Sequence, residues 1–348
     1  MRQNLFRIWL GVLTVVVLTA CAPRTPPAPT VLEGRIFGTF FEVSIGRQHD
    51  FDRDEVQAGV LAVLNEVDRQ MSTYRQDSVL TAVNQAPIGE PVAVPPELYY
   101  VLRVGYDIAE QSGGAFDFTI GGLVNLWGFG PEGRVTKAPE PAVLEQRLAE
   151  VGYRHIELDD ATQTITRHRD VFVDLSGIAK GYGVQAVSEY LLSVGISNHL
   201  VNIGGDLIAL GERNTGQPWR IGIEAPNDSM QVVRHILPLR DVGMVGSGDY
   251  RNYFEDDGVR YSHTIDPTNG YPISHKLASV NVIGANLTEI DALATVLLVL
   301  GEERGLAYAN EHGIAALFIY RDGEHFESVM SDRFQQNHAS EMRVPTVQ

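Results

Sequence analysis

Val171-Phe-Val-Asp-Leu-Ser-Gly-Ile-Ala-Lys-Gly-Tyr-Gly183 is the stretch on which the fold reading turns. Its apolar start reads as a strand from Val171 to Leu175, and the glycine-rich run behind it opens a helix from Ala179 to Val194. A strand-to-helix turn presents unpaired N–H groups and carbonyls to a ligand, and glycines let that ligand come close. Asp174 and Lys180 then stand as acceptor and donor toward its polar edges. A capped turn with a surface lysine explains the same residues, and the motif alone leaves the two readings level. The turn lacks both the Gly-x-Gly-x-x-Gly spacing of a dinucleotide fold and the Gly-Lys-Ser/Thr of a phosphate loop. A doubly wound sheet is therefore disfavoured.

Outward from this turn, strands and helices interleave without a regular βαβ alternation, which makes the fold class α+β. Thr39 to Ile45 alternates as a strand, with Phe41, Val43 and Ile45 on one face. Helical spacing covers Asp54 to Met71, through Val56, Val60, Val63, Leu64 and Val67. Pro96 to Gln111, opened by a Pro pair and closed before Ser112-Gly-Gly114, reads as a further helix, as do Pro141 to Val151 and Thr288 to Leu300. Further strands are read at His155–Leu158, Thr164–Thr166, His199–Val201, Leu207–Leu210, Arg220–Glu224, Ala278–Ile283 and Ala315–Tyr320. No internal repeat or low-complexity segment interrupts them.

The N-terminus has a different character. Arg2 and Arg7 precede an apolar run from Ile8 to Ala20, too short for a helix across about 30 Å of hydrocarbon. The run ends in Leu18-Thr-Ala-Cys21, which resembles the lipobox of bacterial lipoproteins, and Cys21 is the only cysteine. The resemblance implies a signal peptide over 1–20 and acylation of Cys21, so that the membrane is met through a lipid anchor only. Residues 21–30 carry four prolines and read as an extended tether. The expected organisation is completed by a folded domain over 31–333 and a C-terminal tail over 334–348. The periplasmic face of the inner membrane is the expected location, with Ala22 after the cysteine leaving the outer membrane open.

A net charge of −17 argues against a nucleic-acid surface. An enzyme of this charge handling an anionic cofactor needs a metal or backbone N–H groups to hold it. Asp291 and Thr295 lie four residues apart in a predicted helix, so they share one face, and a carboxylate with a hydroxyl is an oxygen set suited to Mg²⁺. An Asp near a helix N-terminus and a core-facing Thr is the plainer explanation, and spacing alone favours it. His263, just ahead of the Asp266-Pro-Thr-Asn-Gly270 turn, has the chemistry of a general base or a ligand clamp. A hydrogen-bonded structural histidine is the plainer explanation, and nothing local overturns it. No His-Glu-x-x-His or cysteine cluster points to zinc.

Taken in order, Met71-Ser-Thr-Tyr74, Gly114-Ala-Phe-Asp-Phe-Thr119, Asn125-Leu-Trp-Gly-Phe129, the Asp174 stretch, Val201-Asn-Ile-Gly-Gly-Asp206, Ser247-Gly-Asp-Tyr250, the His263 stretch and Asp291-Ala-Leu-Ala-Thr295 resemble the ApbE family of FAD:protein FMN transferases. The resemblance covers almost all of the chain beyond the tether. It implies FAD contacts at Phe37, Tyr74, Ala115, Phe116, Asp117, Asp174, Lys180 and Ile265, and Mg²⁺ held by Asp291, Thr295 and the carbonyl of Gly177. Phe37 stands where the family commonly has methionine. Tyr74 and Phe116 are placed to flank an aromatic ring of the cofactor, or else to stack in the core. The implied reaction moves FMN from FAD to a Ser or Thr hydroxyl of an acceptor protein and releases AMP, with His263 or Asp174 as the base. Implied partners are flavoprotein subunits of Nqr (Na⁺-translocating NADH:quinone reductase) and Rnf-type complexes. An FAD pyrophosphatase, with water as nucleophile, and a non-catalytic FAD-binding lipoprotein are the alternatives. The chain lacks the family's Ser/Thr-Gly-Ala-Ser/Thr acceptor pattern, so it is not itself read as the acceptor.

Overall fold

The computed structural model describes residues 29–344 apart from 47–48, 215, 225–232, 250–251 and 324. The export signal and Cys21 lie outside the described residues. The first half of the chain runs β1 (Thr30–Ile36), β2 (Thr39–Ile45), α1 (Arg53–Met71), α2 (Val79–Gln85), β3 (Pro91–Ala93), α3 (Pro96–Gln111), α4 (Gly121–Leu126), α5 (Pro141–Leu148), β4 (Ile156–Asp159), β5 (Thr164–Arg167) and α6 (Ala179–Ser193). The second half runs β6 (His199–Ile203), β7 (Asp206–Leu210), β8 (Trp219–Glu224), β9 (Val233–Leu239), β10 (Val242–Gly248), β11 (Tyr253–Asp256) and β12 (Val259–Ser262). It closes with β13 (Leu277–Gly284), α7 (Leu287–Glu311), β14 (Ala315–Asp322), β15 (His325–Met330) and α8 (Asp332–Asn337).

Eight strands make one sheet in the order β1-β2-β6-β7-β10-β13-β14-β15. Every neighbouring pair is antiparallel. Side chains alternate across such strands, so both faces of this sheet must be covered. Val245, Val280, Val282 and Phe318 face the layer holding α3 and α7. Phe41, Val43, Val201 and Ile203 continue that face under α1 and α6. Met244, Ile283, Leu317 and Ile319 point the other way, onto the β8–β9 hairpin and α8. Mixed layers around an antiparallel sheet are the α+β class.

Local chemistry sets the element ends. Asp52 caps α1 by accepting the N–H groups of Asp54 and Glu55, and Asn286 caps α7 through Glu289. Helix α7 is broken at Gly301, whose φ of 79° is left-handed, so the expected stop at Leu300 marks a break rather than an end. Helix α5 stops at Leu148, short of the expected Val151.

Two expectations need correction. Val171–Leu175 joins no sheet; Phe172 makes a single bridge to Ile120. The Asn84 side chain takes the place of a neighbouring strand, accepting from the Val173 N–H at 2.8 Å and donating to its carbonyl at 2.9 Å. The Asp174 N–H goes to the Phe118 carbonyl at 2.8 Å. The boundaries at 30 and 333 also shift, because Thr30 already belongs to β1, and α8 crosses residue 333 with Phe334 fully buried under the sheet.

Candidate active site

The β6–β7 connection is the two-residue turn Gly204-Gly205, with φ of 62° and 108°, conformations open to glycine. It stops these strands short of the end of β10 and leaves a notch in the sheet. A cavity of about 1210 Å³ occupies that notch and is lined by Phe37, Tyr74, Ala115, Phe116, Asp117, Asp174, Gly177, Lys180, His263, Ile265, Asp291 and Thr295. Residues from distant parts of the chain, each singled out from the sequence, thus share one space, which is larger than the few hundred to ~1,000 Å³ usual for small-molecule pockets.

Asp291 sits on the first turns of α7, but its Oδ2 accepts the Gly181 N–H of α6 at 2.8 Å. The contact depends on glycine, because a Cβ at Gly181 would stand 2.2 Å from the Leu287 carbonyl oxygen and 2.8 Å from Asp291 Cβ. One turn on, Thr295 points the same way, and a Cβ added to Gly177 would lie 3.2 Å from its Oγ1. Asp291, Thr295 and Gly177 therefore border one oxygen-bearing corner of the cavity. Among the described residues no three His, Cys, Asp or Glu side chains converge as a transition-metal site would require. One carboxylate with a hydroxyl and a carbonyl suits Mg²⁺, which keeps substrate phosphate oxygens as its other partners. Burial, with the Asp206 charge, pushes the Asp291 carboxyl up to about 6 against the pull of Lys180 and the Gly181 N–H.

Lys180 forms an ion pair with Asp206, a fully buried carboxylate at the start of β7. The other Asp206 oxygen accepts the Gly246 N–H at 3.2 Å. Burial opposes the lysine charge, but Asp206 and Asp291 outweigh it and hold the ammonium protonated well above the usual range. Asp206 was not among the residues picked from the sequence. It lies 26 positions from Lys180, and no spacing rule links a strand-start carboxylate to a helix lysine so far away.

His263 follows β12 directly, and its Nδ1 lies 3.1 Å from the Asn252 carbonyl, which can only accept. Nδ1 therefore carries the proton, and a neutral ring keeps the Nε2 lone pair available. Burial lowers its pKa against the raising effects of that hydrogen bond and Asp249, so the ring stays neutral. Asp174 spends Oδ1 on the Ser176 N–H at 2.7 Å, a local turn that leaves Oδ2 for the cavity.

The aromatic candidates divide. Phe37 occupies the β1–β2 turn at φ 51°, uncommon for a side-chain-bearing residue, and its ring packs over Gly183. Tyr74 is 66 % exposed and donates its hydroxyl to the Phe129 carbonyl at 3.1 Å. Phe116 is buried with Ala115 in the main core, so its ring is a fixed wall of the cavity. The Asp117 side chain is fully used inside the fold, Oδ1 taking the Thr119 N–H and hydroxyl and Oδ2 the Tyr153 N–H. Ile265 packs with Leu123, Trp127 and Leu144 in a separate small core beside the cavity.

Comparison with known proteins gives a consistent result. Residues 37–318 match the ApbE family. The FAD:protein FMN transferase of Vibrio cholerae is 40% identical over 331 residues, covering 94% of this chain and 98% of that protein. The Escherichia coli K12 protein of the same name is 35% identical over 330 residues, covering 92% and 94%. The solved structure of the flavin transferase ApbE from Vibrio cholerae superposes with a TM-score of 0.82 at 40% identity, covering 89% of this chain and 99% of that one. The apo form of the Pseudomonas stutzeri flavinyl transferase ApbE gives a TM-score of 0.81 at 37% identity, covering 90% and 98%. In sequence and in fold, the chain belongs to the ApbE family.

Proposed function

We propose that this chain is a Mg²⁺-dependent FAD:protein FMN transferase that attaches FMN to a Ser or Thr hydroxyl of an acceptor protein and releases AMP. The observation that carries the reading is the content of one cavity: a hard-oxygen corner, a fixed ammonium and a neutral imidazole with a free ring nitrogen. Asp291, Thr295 and the Gly177 carbonyl would hold the ion, which when bound neutralises charge on the phosphoryl oxygens. Lys180, anchored by Asp206, offers a second positive charge to the pyrophosphate. His263 Nε2 takes the proton as the acceptor oxygen bonds to the FMN phosphorus; the P–O bond to AMP breaks, and AMP keeps its electron pair. Asp174 is the second candidate for that proton. Tyr74 and Phe37 offer rings for the flavin. Cys21 anchors the chain by lipid to the periplasmic face of the inner membrane, and Nqr and Rnf-type subunits are the acceptors; the lipobox-like stretch and the family resemblance support these two points.

The test incubates the protein with FAD, Mg²⁺ and a fragment carrying Ser/Thr-Gly-Ala-Ser/Thr, and weighs the fragment by mass spectrometry. A covalent FMN adduct is expected, abolished by chelator and by Asp291→Asn. The His263→Ala variant should slow transfer about 10²- to 10⁴-fold. Release of FMN and AMP without an adduct would make the protein a pyrophosphatase, and intact bound FAD would make it a binding protein.

A further inference from the structure

Strand β10 is paired along both edges for only part of its length. It follows β13 from Gly243↔Gly284 to Gly248↔Ser279, but meets β7 only from Val242 to Met244. In an antiparallel strand, alternate residues direct their N–H and C=O to opposite edges. The Asp249 N–H donates to Ala278 on the β13 side, so Gly248 and Gly246 face the other edge, where β7 has ended. The Gly246 N–H is met there by Asp206. Among the described residues no strand runs beside Gly248.

Three further observations say what this edge is for. Gly246, Ser247 and Gly248 all line the cavity, and the two glycines put no side chain between their backbone and an incoming chain. Ser279, the cross-strand neighbour of Gly248, is 6 % exposed, lines the same cavity, and its Oγ has no hydrogen-bond partner. Asn252, which also lines the cavity, has its carbonyl 3.0 Å from the backbone nitrogen of His263 and 3.1 Å from its Nδ1. A free strand edge, an unsatisfied hydroxyl and the proposed base thus border the same cavity.

Building on the transferase reading, we propose that Gly246–Gly248 is the docking edge for the acceptor protein: an extended acceptor segment adds beside β10 and delivers its Ser or Thr hydroxyl to His263. A strand edge offers donors and acceptors at the repeat of a polypeptide, about 6.8 Å between residues of like facing, which a flavin or an adenine does not match. Close approach over glycine also favours small residues beside the modified hydroxyl.

The test uses a synthetic peptide carrying Ser/Thr-Gly-Ala-Ser/Thr, N-methylated at one backbone position at a time, with FAD and Mg²⁺ held fixed. Methylation at every second residue should raise the acceptor KM about tenfold or more, with little effect between, because only alternate N–H groups face a strand edge. Gly248→Val should raise the acceptor KM by a similar factor while the Kd for FAD stays within about twofold, melting curves confirming that it is folded. Uniform tolerance of N-methylation would overturn the proposal, and so would a parallel loss of FAD affinity in Gly248→Val, which would give the edge to the dinucleotide. If the parent protein modifies neither peptide nor acceptor protein, it is the transferase reading that fails.

Discussion

His199 is fully buried, with Nε2 2.8 Å from Ser188 Oγ and Nδ1 2.9 Å from the Ile196 carbonyl. Burial, more than the nearby His49, lowers its pKa from 6.5 to about 4 despite the hydrogen bond to Ile196. Between these values the unfolded chain binds a proton that the folded chain refuses. Stability from His199 is therefore complete above pH 6.5 and drains away as pH falls toward 4, by about 3 kcal/mol in all. Asp291 works in the opposite direction, since its folded pKa of about 6 lies above the ordinary 3.8 and protonation there favours the folded state. Comparing urea unfolding of the parent with His199→Gln isolates the histidine: the gap between the two should narrow from pH 7 to pH 4. A constant gap would refute the assignment. The same sign applies to His263 as the proposed base. Its neutral form persists below the usual histidine range, so the acid limb of kcat/KM should fall below pH 6.5 and vanish from the residual activity of His263→Ala.

At the scale of elements, the contact of α6 with α7 holds the oxygen corner together. Gly181→Ala forces a methyl against the Leu287 carbonyl and Asp291 Cβ. A loss of about 1–3 kcal/mol is expected in thermal melting, together with weaker Mg²⁺ dependence as Asp291 is displaced. Such a contact illustrates what could be read in advance. Strand β2 and helix α1 were legible because their apolar residues repeat at the right period, and α3 and α6 because Pro and Gly punctuate their ends. Strand β10 was not, because Val242-Gly-Met-Val-Gly-Ser-Gly248 offers three glycines in place of an alternating pattern. Val171–Leu175 has the composition of a strand, yet its neighbour is the Asn84 side chain, which no periodicity announces. The candidate residues that line the cavity came from short motifs and a family resemblance. The Lys180–Asp206 pair needed the fold, because ion pairing between distant segments leaves no mark on spacing.

For the whole molecule, both faces of the sheet must be sealed. The face away from α6 and α7 is closed by the β8–β9 hairpin and by α8, through Trp219, Ile221, Leu237 and Phe334. Phe334→Ala should therefore cost about 3–5 kcal/mol, although it lies near the C-terminus and far from the cavity in sequence. Thermal melting checks this, and a loss under 1 kcal/mol would show that α8 is not needed to close the face.

The strand order β1-β2-β6-β7-β10-β13-β14-β15 rises without reversal. Each sheet strand is laid beside the one that preceded it in the chain, so a nascent polypeptide emerging from its N-terminus always finds its docking edge already made. No strand has to be inserted between two that are already paired, and the longest loop closure in the sheet is the one that brings β6 beside β2 across residues 46–198. Vectorial growth from one edge to the other is written into the topology, and the growing rim passes through β10 before reaching β13 and the helix that carries Asp291 and Thr295.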